Sequence, residues 1–330
     1  MIVALDPGFG NTKVSTAANC AVIQSAVARP INIGRAGIGL RTASARSTKI
    51  EIENGGSFVV GSGSWSWGEP LSSMDYSALT SAARLALFYA GLAECVPAGD
   101  HVIDRLTIGL PVPLLQNESD ADETIKNLRT LKREHVFYRS DVGSKSDPER
   151  YSIAIENITV LAQPVGAYAD YLISDDLKIN KDLKDAEIAV IDLGMNTLDL
   201  YVVKSAKIEP RFIAGAKVGV RRFIELAQEY DHHDLVEIDD LIRTGNIKLS
   251  DPFLTAAFDS WFQSVNAEIE KVFKNLARFA AIVTAGGGCS ILNPLLVPSL
   301  ARRGAAVYVP ADPISVNVRG LYKWSAYMYR

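Results

Sequence analysis

Short apolar runs alternate along the chain with glycine-rich turns and with longer stretches in which apolar positions recur at helical spacing, a succession that predicts an α/β fold. Ile2-Val3-Ala4-Leu5 fits a buried strand, and Thr12-Lys13-Val14-Ser15, after a glycine turn, fits its hairpin partner. From about residue 30 to 75 the chain is rich in Gly, Ser and alternating β-formers, among them Lys49-Ile50-Glu51-Ile52-Glu53 and Ser57-Phe58-Val59-Val60-Gly61, which predicts a small inserted β-containing subdomain. Leu79, Ala82, Ala83, Ala86, Tyr89, Ala90 and Ala93 predict an amphipathic helix over 77–95. Residues 105–111 read as a strand ending in a turn. Ser119 with Asp122 resembles a capping box that opens a charged surface helix, and 139–151 reads as an exposed loop. Residues 158–161 read as a strand ending at Gln163-Pro164, and Val165, Ala167, Tyr168, Tyr171 and Leu172 predict a helix whose proline suits its first turn.

Ile188-Ala189-Val190-Ile191-Asp192 then opens a strand, turn and strand that repeat the design of the N-terminus, so the two halves read as duplicated cores. Helical patterns at 217–229, 234–243 and 252–275 predict a helical subdomain inserted over about 216–278. A strand over 280–284, the bare stretch Ala285-Gly286-Gly287-Gly288, a helix from Ser290 carrying Leu292, Leu295 and Leu296, a last strand over 305–309 and a helix from Pro313 complete the order. The expected division is 1–162 and 163–310, with a C-terminal helix over about 311–330 packing back on the first part.

With 330 residues, 48% of them hydrophobic, the chain is long enough for two cores and too apolar for disorder. A formal net charge of −4 gives no global attraction to nucleic acid or an anionic membrane. Cys20, Cys95 and Cys289 lack the spacing of a zinc site or a disulfide framework and read as reduced packing thiols. No apolar run approaches the roughly 20 residues of a membrane span, and the start of the chain carries no basic region or cleavage signal; a cytoplasmic protein without membrane insertion is expected. His101, His135, His232 and His233 read as surface residues, and Trp65 and Trp67 as subdomain core or a protein contact.

The candidate chemistry sits in the turns. Asp6-Pro7-Gly8-Phe9-Gly10-Asn11-Thr12-Lys13 and Asp192-Leu193-Gly194-Met195-Asn196-Thr197-Leu198-Asp199 each follow an apolar run and present a carboxylate, bare backbone N–H groups and a hydroxyl at one point. Such groups suit a polyphosphate and a hydrated metal. Lys13 and the hydroxyls of Thr12 and Thr197 are candidate donors to phosphate oxygens, and Asp6 and Asp192 are the candidate catalytic and metal-facing carboxylates, acting on Mg²⁺ through water. Gln163 is a candidate for orienting an attacking water; an amide is no general base, so this role implies slow hydrolysis. Asp199 reads as a turn support. One Asp-led glycine turn is a common hairpin feature, whereas two of them followed by a triple glycine, in this order, make a pattern.

Together, residues 6–13, Gln163-Pro164, residues 192–199 and Ala285 to Gly288 resemble the phosphate-1, connect-1, phosphate-2 and adenosine motifs of the actin, 70-kDa heat-shock chaperone and sugar-kinase superfamily. Gly109-Leu110-Pro111, residues 58–61 and Asn317-Val318-Arg319-Gly320-Leu321-Tyr322 are similar to the ParM/StbA plasmid-segregation actins and archaeal actin-like proteins. The resemblance implies an actin-like fold of two lobes, duplicated ribonuclease-H-like domains with a nucleotide cleft between them and a hinge near Gln163 and the C-terminal helix. It implies ATP or GTP with Mg²⁺ as ligands, held by Gly8, Gly10, Asn11, Thr12, Lys13, Gly194, Met195, Asn196, Thr197, Gly286, Gly287 and Gly288, with Lys217 and the stretch 215–219 near the adenosine. It further implies nucleotide-dependent polymerisation with copies of itself, slow NTPase activity, and a DNA-bound adaptor protein as a partner. Pro7 and Met195-Asn196 depart from the family pattern, and Gln163 stands where several plasmid-segregation relatives carry an acid. A small-molecule kinase of the same fold and a non-polymerising ATPase adaptor are the alternative functions.

Overall fold

The structure is a computed structural model that describes residues 1–31, 47–71, 76–144, 146–231 and 252–329. The helical pattern at 234–243, His232, His233, the side chain of Trp65 and parts of the 30–75 stretch lie outside the described residues. The chain divides into two compact units, one of Met1–Leu110, Leu114–Leu161 and Leu321–Arg330, the other of Pro111–Pro113 and Ala162–Gly320.

The first unit holds two sheets. Strands β1 (Ile2–Pro7), β2 (Asn11–Ser15) and β3 (Cys20–Gln24) form an antiparallel meander, and β9 (Arg105–Leu110) lies parallel to β1 with β12 (Ile158–Ala162) beyond it, giving the order β12-β9-β1-β2-β3. The second sheet takes β4 (Val27–Pro30), β5 (Thr48–Ile52), β6 (Gly56–Val60), β7 (Gly68–Pro70), β8 (Gly99–Ile103), β10 (Glu134–Asp141) and β11 (Glu149–Ile155) in the order β7-β4-β6-β5-β10-β11-β8. The stretch expected as an exposed loop over 139–151 is a loop only between Asp141 and Glu149; its two ends belong to the strand pair β10 and β11. Arg139↔Glu149 and Tyr138↔Arg150 continue its ladder, and their charged side chains hide it from an apolar pattern.

Helix α1 (Ala82–Cys95) packs against strands of both sheets. It is shorter than the expected 77–95 span because Tyr76–Thr80 form a separate 3-10 turn and Ser81 caps the helix by accepting from the Arg84 N–H. Nor is it amphipathic: every residue from Leu85 to Ala93 is buried, as befits a helix covered on more than one side. A Cβ at Gly91 would stand 2.7 Å from Val14 Cγ2, so this glycine permits the close approach of α1 to β2. The short helix α2 (Val112–Gln116) precedes α3 (Glu118–Arg129), which opens at Asn117 rather than at Ser119; the Asn117 side chain accepts from the Asp120 N–H.

In the second unit the N-terminal design recurs. Strands β13 (Glu187–Leu193) and β14 (Leu198–Lys204) pair antiparallel as β1 and β2 do, and β17 (Ala281–Ala285) runs parallel to β13 as β9 does to β1. β18 (Val307–Tyr308) lies beyond β17, and β15 (Lys207–Ile208) and β16 (Ala214–Ala216) both pair with β14. Ala189, Ile191 and Leu193 enter a core with α5 (Val220–Asp231), α6 (Pro252–Val272) and α7 (Gly287–Arg302). By strand alternation Ile188, Val190 and Asp192 face the other way, and α4 (Gln163–Leu172) packs on β13, β14 and β17. Trp261 anchors the helical side, stacking on Phe223 at 5.4 Å and donating its indole N–H to the Val218 carbonyl at 2.8 Å. Helix α8 (Val316–Met328) ends the chain. Among the described residues no helix is long and apolar enough to cross a membrane.

Two single-residue expectations change. Cys20 is exposed rather than packed, while Cys95 and Cys289 are buried. His135 is buried, not on the surface, beside the stacked rings of Tyr89, Phe137 and Tyr151. Its Nε2 lies 2.8 Å from the Leu131 carbonyl, which only accepts, so Nε2 carries the proton and Nδ1 accepts from the Tyr89 hydroxyl at 2.7 Å. Burial, with a smaller contribution from Arg133, holds the imidazole below its ordinary pKa of 6.5. The neutral ring thus adds stability that is complete above about pH 6.5 and is lost as pH falls below that value. Urea midpoints at pH 8 and pH 5 should differ more for the wild type than for His135→Asn, which keeps an acceptor for Tyr89 but does not titrate; equal differences would contradict the assignment.

Candidate functional site

Both aspartate-led turns lie at the end of a central strand, where the chain leaves the sheet and re-enters it. In the first, Asp6 stands directly across from Lys13 in the β1–β2 ladder. Asp6 is 1% exposed, and its Oδ2 accepts from Lys13 Nζ at 2.9 Å. Removing either partner would strand a buried charge at a cost of about 3–5 kcal/mol, so Lys13 holds the turn together whatever else it binds. A Cβ at Gly8 would lie 2.6 Å from the Asn11 carbonyl, which makes glycine obligatory there.

Ser25, which the sequence pattern did not single out, braces this turn. Its N–H donates to the Gly10 carbonyl at 3.0 Å and its hydroxyl to the Gly8 carbonyl at 2.6 Å. With that proton committed, the 3.0 Å contact between the Thr12 and Ser25 hydroxyls has Thr12 as donor. Thr12 is itself only 2% exposed. Gly8, Gly10 and Asn11 remain partly exposed at the tip.

The second turn is organised by α5. The carbonyls of Gly194, Met195 and Asn196 accept from the N–H groups of Val220, Arg221 and Gly219 at 3.1, 2.8 and 3.2 Å. Across a trans peptide the C=O of one residue and the N–H of the next point in opposite directions. Three consecutive carbonyls drawn to the start of α5 therefore turn the N–H groups of Met195, Asn196 and Thr197 away from it, side by side, in the arrangement that binds anions. Gly219 is needed for this contact, because a Cβ there would meet the Met195 carbonyl oxygen at 2.4 Å. Lys217, two residues earlier, is exposed.

Where Lys13 faces Asp6 in the first hairpin, Asp199 faces Asp192 in the second. Both carboxylates are buried, 5% exposed for Asp192 and 1% for Asp199. Asp199 accepts from the Val112 N–H at 3.2 Å, fixing the first residue of α2, in keeping with a supporting role. Asp192 Oδ2 accepts from the Asn317 amide nitrogen at 2.7 Å. Burial, with a smaller contribution from Asp192, pushes the Cys289 thiol up to about 12, so this cysteine stays protonated.

The triple glycine closes on the same carboxylate. Gly286 has φ +86°, and a Cβ there would lie 2.3 Å from the Leu193 carbonyl oxygen and 2.6 Å from Asp192 Oδ1; one at Gly288 would lie 2.5 Å from Leu193 Cγ. Gly287 faces open space. Helix α7 begins at Gly287 and not at Ser290, since the glycines themselves form its first turn, and Pro294 and Pro298 are accommodated farther along. Gln163 is the first residue of α4, partly exposed. In the second unit, then, Asp192, Gly194 to Thr197, Gly286 and Gly288 form one neighbourhood, with Lys217 near the edge of the turn.

Residues 4–166 match the family of actin-like proteins N-terminal domain. The apo pSK41 ParM protein matches the fold throughout, with 17% identity over 99% of this chain and 97% of that one and a TM-score of 0.71. The chain has an actin-like fold, with an actin-like N-terminal domain over residues 4–166. Two further structures share its fold: Ta0583, an archaeal actin homologue, in complex with ADP (19% identity, 98% of each chain, TM-score 0.69), and the Alp12 filament (16% identity, 100% of this chain and 99% of that one, TM-score 0.62). A comparison with curated proteins finds no match. The duplicated strand, hairpin and parallel strand of the two units are what this α/β, actin-like fold repeats.

The glycine geometry separates two neighbouring substitutions in the actin-like chain. Gly286→Ala combines a positive φ with two backbone or carboxylate clashes and should cost about 2–5 kcal/mol in urea unfolding. Gly287→Ala should leave stability nearly unchanged. Similar losses in both variants would contradict the packing described.

Proposed function

We propose that the protein binds ATP or GTP with Mg²⁺ through its two aspartate-led turns, hydrolyses the nucleotide slowly, and polymerises with copies of itself into filaments that segregate or position DNA or other cargo. The row of N–H groups at Met195, Asn196 and Thr197, aimed away from α5, carries the reading. It is an anion site built from backbone, at the end of the strand that bears Asp192. Gly8, Gly10 and Asn11 supply the corresponding tip in the first unit, and the remaining Lys13 donors add charge to it. Open space at Gly287 suits close approach of a nucleoside to the backbone, and the exposed Lys217 is the candidate cation for it. The ADP complex of Ta0583 and the Alp12 filament, which share the fold, support nucleotide binding and self-association.

The carboxylates fit Mg²⁺. Among the described residues no three His, Cys, Asp or Glu gather into a protein cage, and Asp6 and Asp192 come singly, one per turn. Mg²⁺ tolerates this because it keeps most of its waters and takes phosphate oxygens as ligands. Asp6 already shares its charge with Lys13, whereas Asp192 is met by a neutral amide and lies across from a second carboxylate. A cation held by these carboxylates would neutralise developing phosphate charge. Gln163 would orient water without accepting its proton, which keeps turnover slow. A DNA-bound adaptor is the partner such a filament requires for segregation.

Asp192→Asn preserves an acceptor for Asn317 while removing the charge. It should keep the wild-type unfolding midpoint within a few degrees and lower Mg²⁺-dependent phosphate release about 100-fold or more, the scale of losing one preorganised electrostatic contact. Sedimentation of the wild type with Mg²⁺ and ATP or GTP should pellet polymer. Unchanged phosphate release in the variant would contradict the site, and a wild type that stays in the supernatant with both nucleotides would contradict the filament.

A further inference from the structure

We infer that Asn317 is a positioning residue that fixes the Asp192 carboxylate, so that the start of α8 sets the geometry with which this carboxylate meets the cation; the inference rests on the nucleotide and Mg²⁺ reading above. The Asn317 amide nitrogen donates to Asp192 Oδ2 at 2.7 Å, and Asn317 is 2% exposed. A carboxylate only accepts, so this contact assigns the amide orientation: nitrogen toward Asp192, oxygen away from it. That oxygen is buried and accepts from no protein donor. Buried amides satisfied at one end only are uncommon, because the other end loses its water without replacement. Such an arrangement is retained where the satisfied end is needed, and here that end grips the carboxylate at the anion-binding turn.

The backbone beneath Asn317 is held tightly enough to transmit position. A Cβ at Gly166 of α4 would stand 2.1 Å from the Asn317 carbonyl oxygen, and one at Gly320 would stand 1.7 Å from the Gly166 carbonyl oxygen, so the two helices meet backbone to backbone. Arg319 reinforces the contact through Asp170 of α4 at 2.9 Å. A Cβ at residue 286 would lie 2.6 Å from Asp192 Oδ1, so glycine there leaves the carboxylate its place. The amide thereby fixes one oxygen of the Asp192 carboxylate. A neutral donor suits this task better than a cation, because it orients the carboxylate and leaves its charge for a metal.

The test uses the full chain with Asn317→Ala and Asn317→Asp. Thermal unfolding, affinity for ATP in EDTA, and kcat, KM and the Mg²⁺ concentration for half-maximal phosphate release are measured for each. Asn317→Ala is expected to bind ATP in EDTA within about twofold of the wild type, to lose about tenfold or more in kcat, and to need several times more Mg²⁺. Asn317→Asp places an acceptor against Asp192, and its kcat relative to the wild type should rise as pH is lowered from 8 to 6, where the introduced carboxyl gains a proton to donate. A parallel fall in unfolding temperature and EDTA affinity, with no change in Mg²⁺ requirement and no pH-dependent recovery, would show a merely structural amide and overturn the inference. So would variants indistinguishable from an active wild type. A wild type that neither binds nor hydrolyses nucleotide would overturn the functional reading itself, and this inference with it.

Discussion

A buried aspartate at the end of a central strand, facing its own hairpin partner, is the constraint around which each half of this protein is built. Ionised carboxylates are costly to bury, and the two halves meet that cost differently at equivalent places in a duplicated ladder. Asp6 faces Lys13 and is held by an ion pair; Asp192 faces Asp199 and is held by an amide. The same backbone design thus sets an ammonium group across from one aspartate and a second aspartate across from the other.

The turns hold their shape because their carbonyls and hydroxyls are consumed by neighbours. Ser25 ties down the first turn, and the first N–H groups of α5 tie down the second. Spending the acceptors of the second turn on α5 is what leaves its successive N–H groups aimed away from that helix. Glycines matter where these contacts bring backbones together, at Gly219 against Met195 and at Gly286 against Leu193, more than as generic flexibility.

Much of this was legible in the residue pattern, and its limits have physical causes. The strand and hairpin around Asp6 and Asp192 announce themselves because central strands buried on both faces are continuous apolar runs with abrupt ends. Helix α1 was placed but misread as amphipathic, since small alanines at helical spacing look like one face until the second sheet covers the other. Strands β10 and β11 were hidden by charged residues that pair across the ladder at its exposed end. Burial of His135 was invisible because its partners, Tyr89 and the Leu131 carbonyl, are supplied by tertiary packing. The bracing role of Ser25 and the contact of Asn317, whose motif is legible, with Asp192 are hidden for the same reason: a hydroxyl or amide 17 or 125 residues from the group it serves leaves no local signature of that contact.

The central claim is that backbone N–H groups in both turns receive a nucleotide's phosphates. Amide hydrogen exchange with and without Mg²⁺ and ATP measures it directly. The account predicts slower exchange at residues 8–11 and at Met195, Asn196 and Thr197 when nucleotide is present, with the α5 amides of Val220 and Arg221, already bonded to the turn, changing little. Unchanged exchange at both turns under saturating nucleotide would contradict it.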